Sequence, residues 1–301
     1  MQSLYLLLPD FSLILVGIVL RHYLLEDERF WGGVEKLVYF VLFPALLFRA
    51  LASLSIEPLA AVPLVVGALG VLGAGFVLGL LARRLMGLSA MGFASRLQCA
   101  YRFNTYIGMA VAGSLHGAAG MALMGGVCGA MVPFANVMAV GSMVRHGQGG
   151  MVRELLRNPL VIATLAGLAF NLSGFRLAVP VDAFLTRLGD AAIALGLLAV
   201  GAALRWGRSD GSMLGATWLV TVKLMLLPAV AWVFGRQLGV DGVAFDVLVL
   251  FAALPSASSA YILAMRLGGD GPGVAWLISA TTLLAVPSLT LWIHLLGKAG
   301  S

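Results

Sequence analysis

Residues 99–117 read CAYRFNTYIGMAVAGSLHG. The stretch is apolar enough to lie in a bilayer, yet Arg102 and Asn104 interrupt it. A plain membrane helix avoids this, because a charge at the bilayer centre costs at least about 2.5–3.5 kcal/mol. A second stretch, residues 251–271, reads FAALPSASSAYILAMRLGGDG. It carries Pro255 followed by Ser256, Ser258 and Ser259. A proline removes one backbone N–H and disrupts the preceding helical turn. Each stretch reads as a broken helix, and the pair predicts a binding site inside a membrane.

The remaining composition agrees with a membrane setting. Of 301 residues, 61% are hydrophobic and 11% charged, against roughly 25% charged in a soluble domain. So few charges cannot cover a water-soluble surface of this size, which predicts an all-α polytopic membrane protein. The net charge of +6 is spread through short loops. It reads as an orientation signal and not as a nucleic-acid patch. Cys99 and Cys128 both fall in apolar segments and make no disulfide framework. No Cys/His cluster suggests a metal, nothing calls for a cofactor, and no nucleophile–base pair suggests an enzyme. The first residues lack the positive region of a cleavable signal peptide and read as a retained first span.

Segments of about 20 apolar residues predict ten spans, near 4–21, 32–52, 60–82, 95–115, 119–143, 158–176, 183–204, 214–236, 245–267 and 273–297. Arg21, Arg83, Arg84, Arg145 and Arg205 lie on one side, outnumbering Arg49, Arg176 and Arg236 on the other. The richer side is expected to be cytoplasmic, with both termini outside the cytoplasm in a cell membrane. Sliding the chain by 154 residues puts Asn104 on Ser258, Thr105 on Ser259 and Val132-Pro133 on Val286-Pro287. Five spans per half make the halves inverted, a recurring transporter design. The expected organisation is a first repeat at 1–145, a short cytoplasmic connection at 146–157 and a second repeat at 158–301.

The candidate substrate-binding residues are Arg102, Asn104, Thr105, Pro255, Ser256, Ser258, Ser259 and Lys223. A guanidinium suits a carboxylate, although Arg102 could instead snorkel to the interface. Asn104 and Thr105 can satisfy an unwound turn or offer groups to a ligand; interhelical hydrogen bonding is the alternative. The serines after Pro255 fit either a substrate site or a tolerated kink. Lys223 lies mid-span, five residues before Pro228, and could pair a carboxylate, contact substrate or snorkel. Gly75-x-x-x-Gly79 and Gly113-x-x-x-Gly117 read as packing motifs.

At these residues the sequence resembles the auxin efflux carrier family. The likeness is carried by 37-LVYFVLFPALLFRALA-52, Asn104 followed by Gly108, 158-NPLVIATLAGLAFNLSG-174, 254-LPSASSAYILA-264 and 281-TTLLAVPSL-289. The resemblance implies ten helices in two inverted five-helix repeats, with broken fourth and ninth helices that cross. It implies transport of small organic anions, mono- or dicarboxylates, by an elevator-type movement against a scaffold of the first, second, sixth and seventh helices. A homodimer follows by the same analogy. The chain departs from the family in having Met109-Ala110 where a proline often stands, and Ser259 where many bacterial members have asparagine. Two alternatives stand beside this reading: a sodium-coupled organic-anion symporter of bile-acid-symporter-like fold, and a non-transporting membrane ligand sensor.

Overall fold

The computed structural model describes residues 2–53, 62–143, 159–204, 212–257 and 259–299, and these are helical apart from short connections. The connection expected at 146–157, Asn158 and Ser258 lie outside the described residues. The first span is α1, Gln2–Tyr23. The second is α2, Glu28–Leu37, then a widened π turn at Val38–Leu42, then α3, Phe43–Ala52. Pro44 supplies the cause of the widening, because it has no N–H for the helical ladder and its ring crowds the turn before it. Asp27 caps α2 through Arg29 N at 2.8 Å.

The third span is α4, Val62–Leu80, followed by one turn, α5, Arg83–Met86, closed by Gly87 at φ 62°. Next come α6, Ala90–Leu97, a 3-10 turn at Gln98–Ala100, and α7, Thr105–Met143. Sequence spacing predicts a fourth span from 95; the helix begins at Ala90 because Ser89 caps it, accepting from Gly92 N at 3.1 Å. Helix α7 is in fact two antiparallel helices folded at Gly117 (φ 59°, ψ −142°). A Cβ on Gly120 would meet the Ala112 carbonyl at 2.3 Å, and Gly113 faces Met121. Gly117 is therefore the corner and not the packing residue expected from Gly113-x-x-x-Gly117, since a φ of this sign favours glycine.

The second half holds α8, Pro159–Leu172, and α9, Val179–Ala203. Then α10, Met213–Thr221, passes through a second π turn, Val222–Leu226, into α11, Leu227–Gln237. Pro228 plays the part that Pro44 plays in the second span. The chain ends with α12, Gly242–Ala253, α13, Ser259–Arg266, and α14, Gly271–Ala299. Five of the described helical stretches are long and apolar enough to cross a membrane: Val62–Met86, Ala90–Met143, Val179–Ala203, Met213–Gln237 and Gly271–Lys298.

Contacts sort these elements into two compact units. One takes α1–α3, residues 109–133 of α7, α8 and α9. It therefore adds the hairpin of α7 to the four spans expected as a scaffold. Its helices touch backbone to backbone where glycine stands. A Cβ on Gly17 would lie 2.1 Å from the Leu198 carbonyl, and one on Gly201 would lie 1.9 Å from that of Ile14. Small residues permit such approach without a side chain in the way. Arg49 grips Asp182 with two bonds, 2.8 and 3.2 Å.

The other unit takes α4–α6, both ends of α7 and α10–α14. Here Gly75 and Gly79 of α4 lie against Ala100, leaving room for the unwound chain beside them. Trp218 donates to the Leu78 carbonyl at 2.8 Å, which ties α10 to α4. Both stretches singled out by sequence lie in this unit.

Candidate functional site

The first break follows from where its backbone groups go. After the 3-10 turn, residues 102–104 lie outside any helix, with Arg102 N making the last bond of the turn, to the Gln98 carbonyl at 2.9 Å, and α7 starts at Thr105. Asn104 is the cap of that helix. Its Oδ1 accepts from Tyr106 N (3.1 Å) and Ile107 N (3.2 Å), and its carbonyl accepts from Gly108 N. Buried N–H groups need such partners. The Asn104 amide nitrogen, also buried, has no hydrogen-bond partner among the described residues.

In the second break α12 ends at Ala253, and Leu254 turns extended (φ −59°, ψ 142°), the conformation favoured before proline. The two breaks bond each other reciprocally. Asn104 N donates to the Pro255 carbonyl at 2.8 Å, and Ser256 Oγ donates to the Cys99 carbonyl at 2.6 Å. Gln98 Nε2 adds a bond to the Ala260 carbonyl at 3.1 Å, and Phe103 packs on Phe251 with ring centroids 4.6 Å apart. Ser256 N, lost to the helical ladder, donates instead to Thr281 Oγ1 at 3.2 Å.

Two buried cations attend these breaks. Arg102, 5% exposed, donates through Nη1 to Ser259 Oγ at 2.8 Å and through Nη2 to Asn136 Oδ1. Ser259 is exposed and opens α13, so the guanidinium meets the positive end of that helix at an accessible hydroxyl. Lys223, 1% exposed, lies in the second π turn and donates to the Ala252 carbonyl at 3.1 Å. Thr105 is half-buried at the first position of α7, and Pro255 is buried. The structure thus brings together Arg102, Asn104, Thr105, Pro255, Ser256 and Ser259, and sets Lys223 against the end of α12.

Arg96 and Asp270 form a further ion pair in this unit, with Nε to Oδ2 at 2.6 Å. Asp270 also caps α14 through Gly273 N at 2.9 Å. Gly273 must be glycine here, since a Cβ would lie 2.2 Å from Arg96 Nε.

Sequence reasoning did not find Gln98, Asn136, Thr281 or Asp270. An amide inside an apolar span was a signal for Asn136, as for Asn104. Thr281 gave none, because a threonine bonding back to its own helix, here to the Leu277 carbonyl at 2.8 Å, looks like any other in a membrane helix. Among the described residues no group of acidic, histidine or cysteine side chains could hold a metal.

Comparison with known proteins places the chain among transporters. A family model described as "Membrane transport protein" matches residues 142–293. An "Uncharacterized transporter" of Methanothermobacter thermautotrophicus is 27% identical over 297 residues, covering 97% of this chain and 98% of the relative. A "Putative malonate transporter" of Rhizobium meliloti is 26% identical over 320 residues, covering 97% and 95%. With a match across half of its length, and with two interrupted apolar helices whose breaks bond each other, the chain belongs to the membrane transport proteins of the auxin efflux carrier family.

Proposed function

We propose that this protein carries small organic anions, mono- or dicarboxylates, across the membrane by elevator-type alternating access. The observation that carries the reading is Arg102. Its guanidinium is buried at the crossing and reaches exposed Ser259 at the N-terminus of α13. A fixed cation and the positive end of a helix then face the same accessible point, and both favour a carboxylate there. Asn104 offers amide hydrogens that have no partner among the described residues, and Thr105, Ser258 and Ser259 offer hydroxyls, to orient the ligand, while Ser256, its hydroxyl committed to the Cys99 carbonyl, holds the turn beside them. The relative named for malonate supports a short dicarboxylate as the first compound to try.

The inverted repeat is part of the proposal. Helices α7 and α13 begin at Thr105 and Ser259, 154 residues apart, the offset that aligns the two halves in sequence. The short half-helices support a midplane site: α12, with 12 residues, is about 18 Å long, roughly half of the ~30 Å hydrocarbon core. The separation into two compact units, with both breaks in one of them, supports a moving unit that carries the site. The basic loops orient both termini away from the cytoplasm.

The test is uptake of radiolabelled malonate, succinate and acetate into proteoliposomes holding the purified chain. Saturable uptake of one of them, competed by unlabelled compound, is expected. Saturable binding with no uptake would make the protein a sensor, and neither binding nor uptake of any carboxylate would end the anion reading.

A further inference from the structure

The crossing unit holds a cation by its own covalent chain, at a place where carriers of broken-helix design hold an exchangeable one. Half-helix C-terminal ends and unwound carbonyls are where such carriers coordinate a coupling Na+ or H+. In this protein that end is the C-terminus of α12. Ala252 stands one residue before the end, and the N–H four residues on, Ser256 N, is committed to Thr281 Oγ1. The Ala252 carbonyl is thereby released from the helical ladder and carries the negative end of the helix. Lys223 Nζ donates to it at 3.1 Å, from a side chain that is 1% exposed.

The fold builds the approach of that ammonium from a different helix. Pro228 cannot donate to the Leu224 carbonyl, and the chain before it widens into the π turn Val222–Leu226. The released Leu224 carbonyl is taken by Trp292 Nε1 of α14 at 3.0 Å. Proline, widened turn and indole together fix Lys223 at the end of α12. Through Ser256, bonded to the Cys99 carbonyl at 2.6 Å, the same end of the helix is tied to the first break.

We infer that the end of α12 is a monovalent-cation site whose resident cation is the Lys223 ammonium, so that transport does not require sodium. This rests on the transporter reading only for its consequence for flux; the cation site itself is a property of the folded chain. Removing the side chain leaves the Ala252 carbonyl oxygen at a helix C-terminus, beside the space that the side chain had filled.

The experiment compares wild type, Lys223→Ala, Lys223→Ser and Lys223→Met as purified full-length protein. Melting is followed in chloride salts of choline, sodium, lithium and potassium, and malonate uptake is measured in sodium and in choline. Wild type is expected to melt alike in all four salts, and its uptake to change by less than about twofold. Lys223→Ala and Lys223→Ser are expected to melt about 2–4 °C lower in choline and to regain half or more of that loss in an alkali salt. Lys223→Met, which fills the space without charge, is expected to stay low in every salt. Lys223→Ser, prepared in sodium, serves if the alanine variant does not fold. Alkali-insensitive melting of the alanine and serine variants overturns the cation site, and so does wild-type uptake that requires sodium. Absence of any malonate uptake counts against the transport reading alone, and the melting series then decides the inference.

Discussion

The two broken helices reach the same outcome by different means. The first break has no proline and is held largely by side chains within its own stretch: Asn104 caps the helix that follows, Gln98 reaches the Ala260 carbonyl, and Arg102 reaches Ser259 and Asn136. The second break has Pro255 and is held from outside: Lys223 takes the Ala252 carbonyl and Thr281 takes Ser256 N. The charged and amide side chains that face a ligand in our proposal, Arg102 and Asn104, both come from the first. The difference suggests a division of labour, in which the self-supported break carries recognition and the propped break carries geometry.

The largest expected effect tests recognition. Arg102→Ala removes the cation at the crossing, and malonate uptake should fall by about 100-fold, the loss of a charge-assisted contact of roughly 3 kcal/mol. Its melting temperature should move far less than its flux, because Asn136 and Ser259 are neutral and Ser259 is exposed. Arg102→Lys should recover only part, as one ammonium cannot reproduce the forked donors. Uptake in Arg102→Ala equal to wild type would place recognition elsewhere.

Next comes Asn104→Ala. It leaves the N–H groups of Tyr106 and Ile107 without the capping oxygen, for an expected loss of about 2 kcal/mol in stability together with reduced flux. Asn104→Asp keeps the cap and should keep most of the stability, while bringing a negative charge toward the anion and cutting uptake. Stability and flux should thus separate in the aspartate variant and fall together in the alanine variant.

The stretches that break were legible in sequence, and the reason is that lipid makes polar residues expensive. Arg102, Asn104 and the serines beside Pro255 are conspicuous in a chain with 11% charged residues. The lengths of the apolar segments pointed to membrane spans, since the bilayer fixes how long a spanning helix must be. What was not legible is what depends on packing between distant elements. Nothing near Lys223 indicates that it reaches a carbonyl 29 residues away, and nothing near Cys99 indicates that its carbonyl accepts from Ser256. Gly113 and Gly117 show the same limit: their spacing suits a packing motif, but Gly117 is the corner of a hairpin, a matter of backbone dihedral that spacing alone does not carry.

A smaller effect tests the reciprocal bond. Ser256→Ala deletes the donor to the Cys99 carbonyl and leaves that buried acceptor unpaired, for about 1–2 kcal/mol. Since this bond joins the breaks, the loss should appear in both melting temperature and uptake, with uptake reduced by less than in Arg102→Ala. Ser256→Thr, which keeps the hydroxyl, should restore part of each.

The smallest expected effect concerns the residue that sequence makes most conspicuous. Pro255 looks like the cause of the second break, yet the structure supplies other constraints on the same turn. Ser256 is tied by its N–H to Thr281 and by its hydroxyl to Cys99, and the Pro255 carbonyl accepts from Asn104 N. For α12 to continue through this point, those bonds and the Lys223 contact would all have to be given up. An alanine at 255 gains one N–H, with the Phe251 carbonyl as the helical acceptor, but that carbonyl already accepts from Leu254 N. Pro255→Ala should therefore keep the break and change stability by less than about 1 kcal/mol, most of it through the greater freedom of the unfolded chain. Uptake should fall by no more than a few-fold. A large loss of uptake with unchanged melting would show that the proline is what holds the break, and that the groups around it only follow.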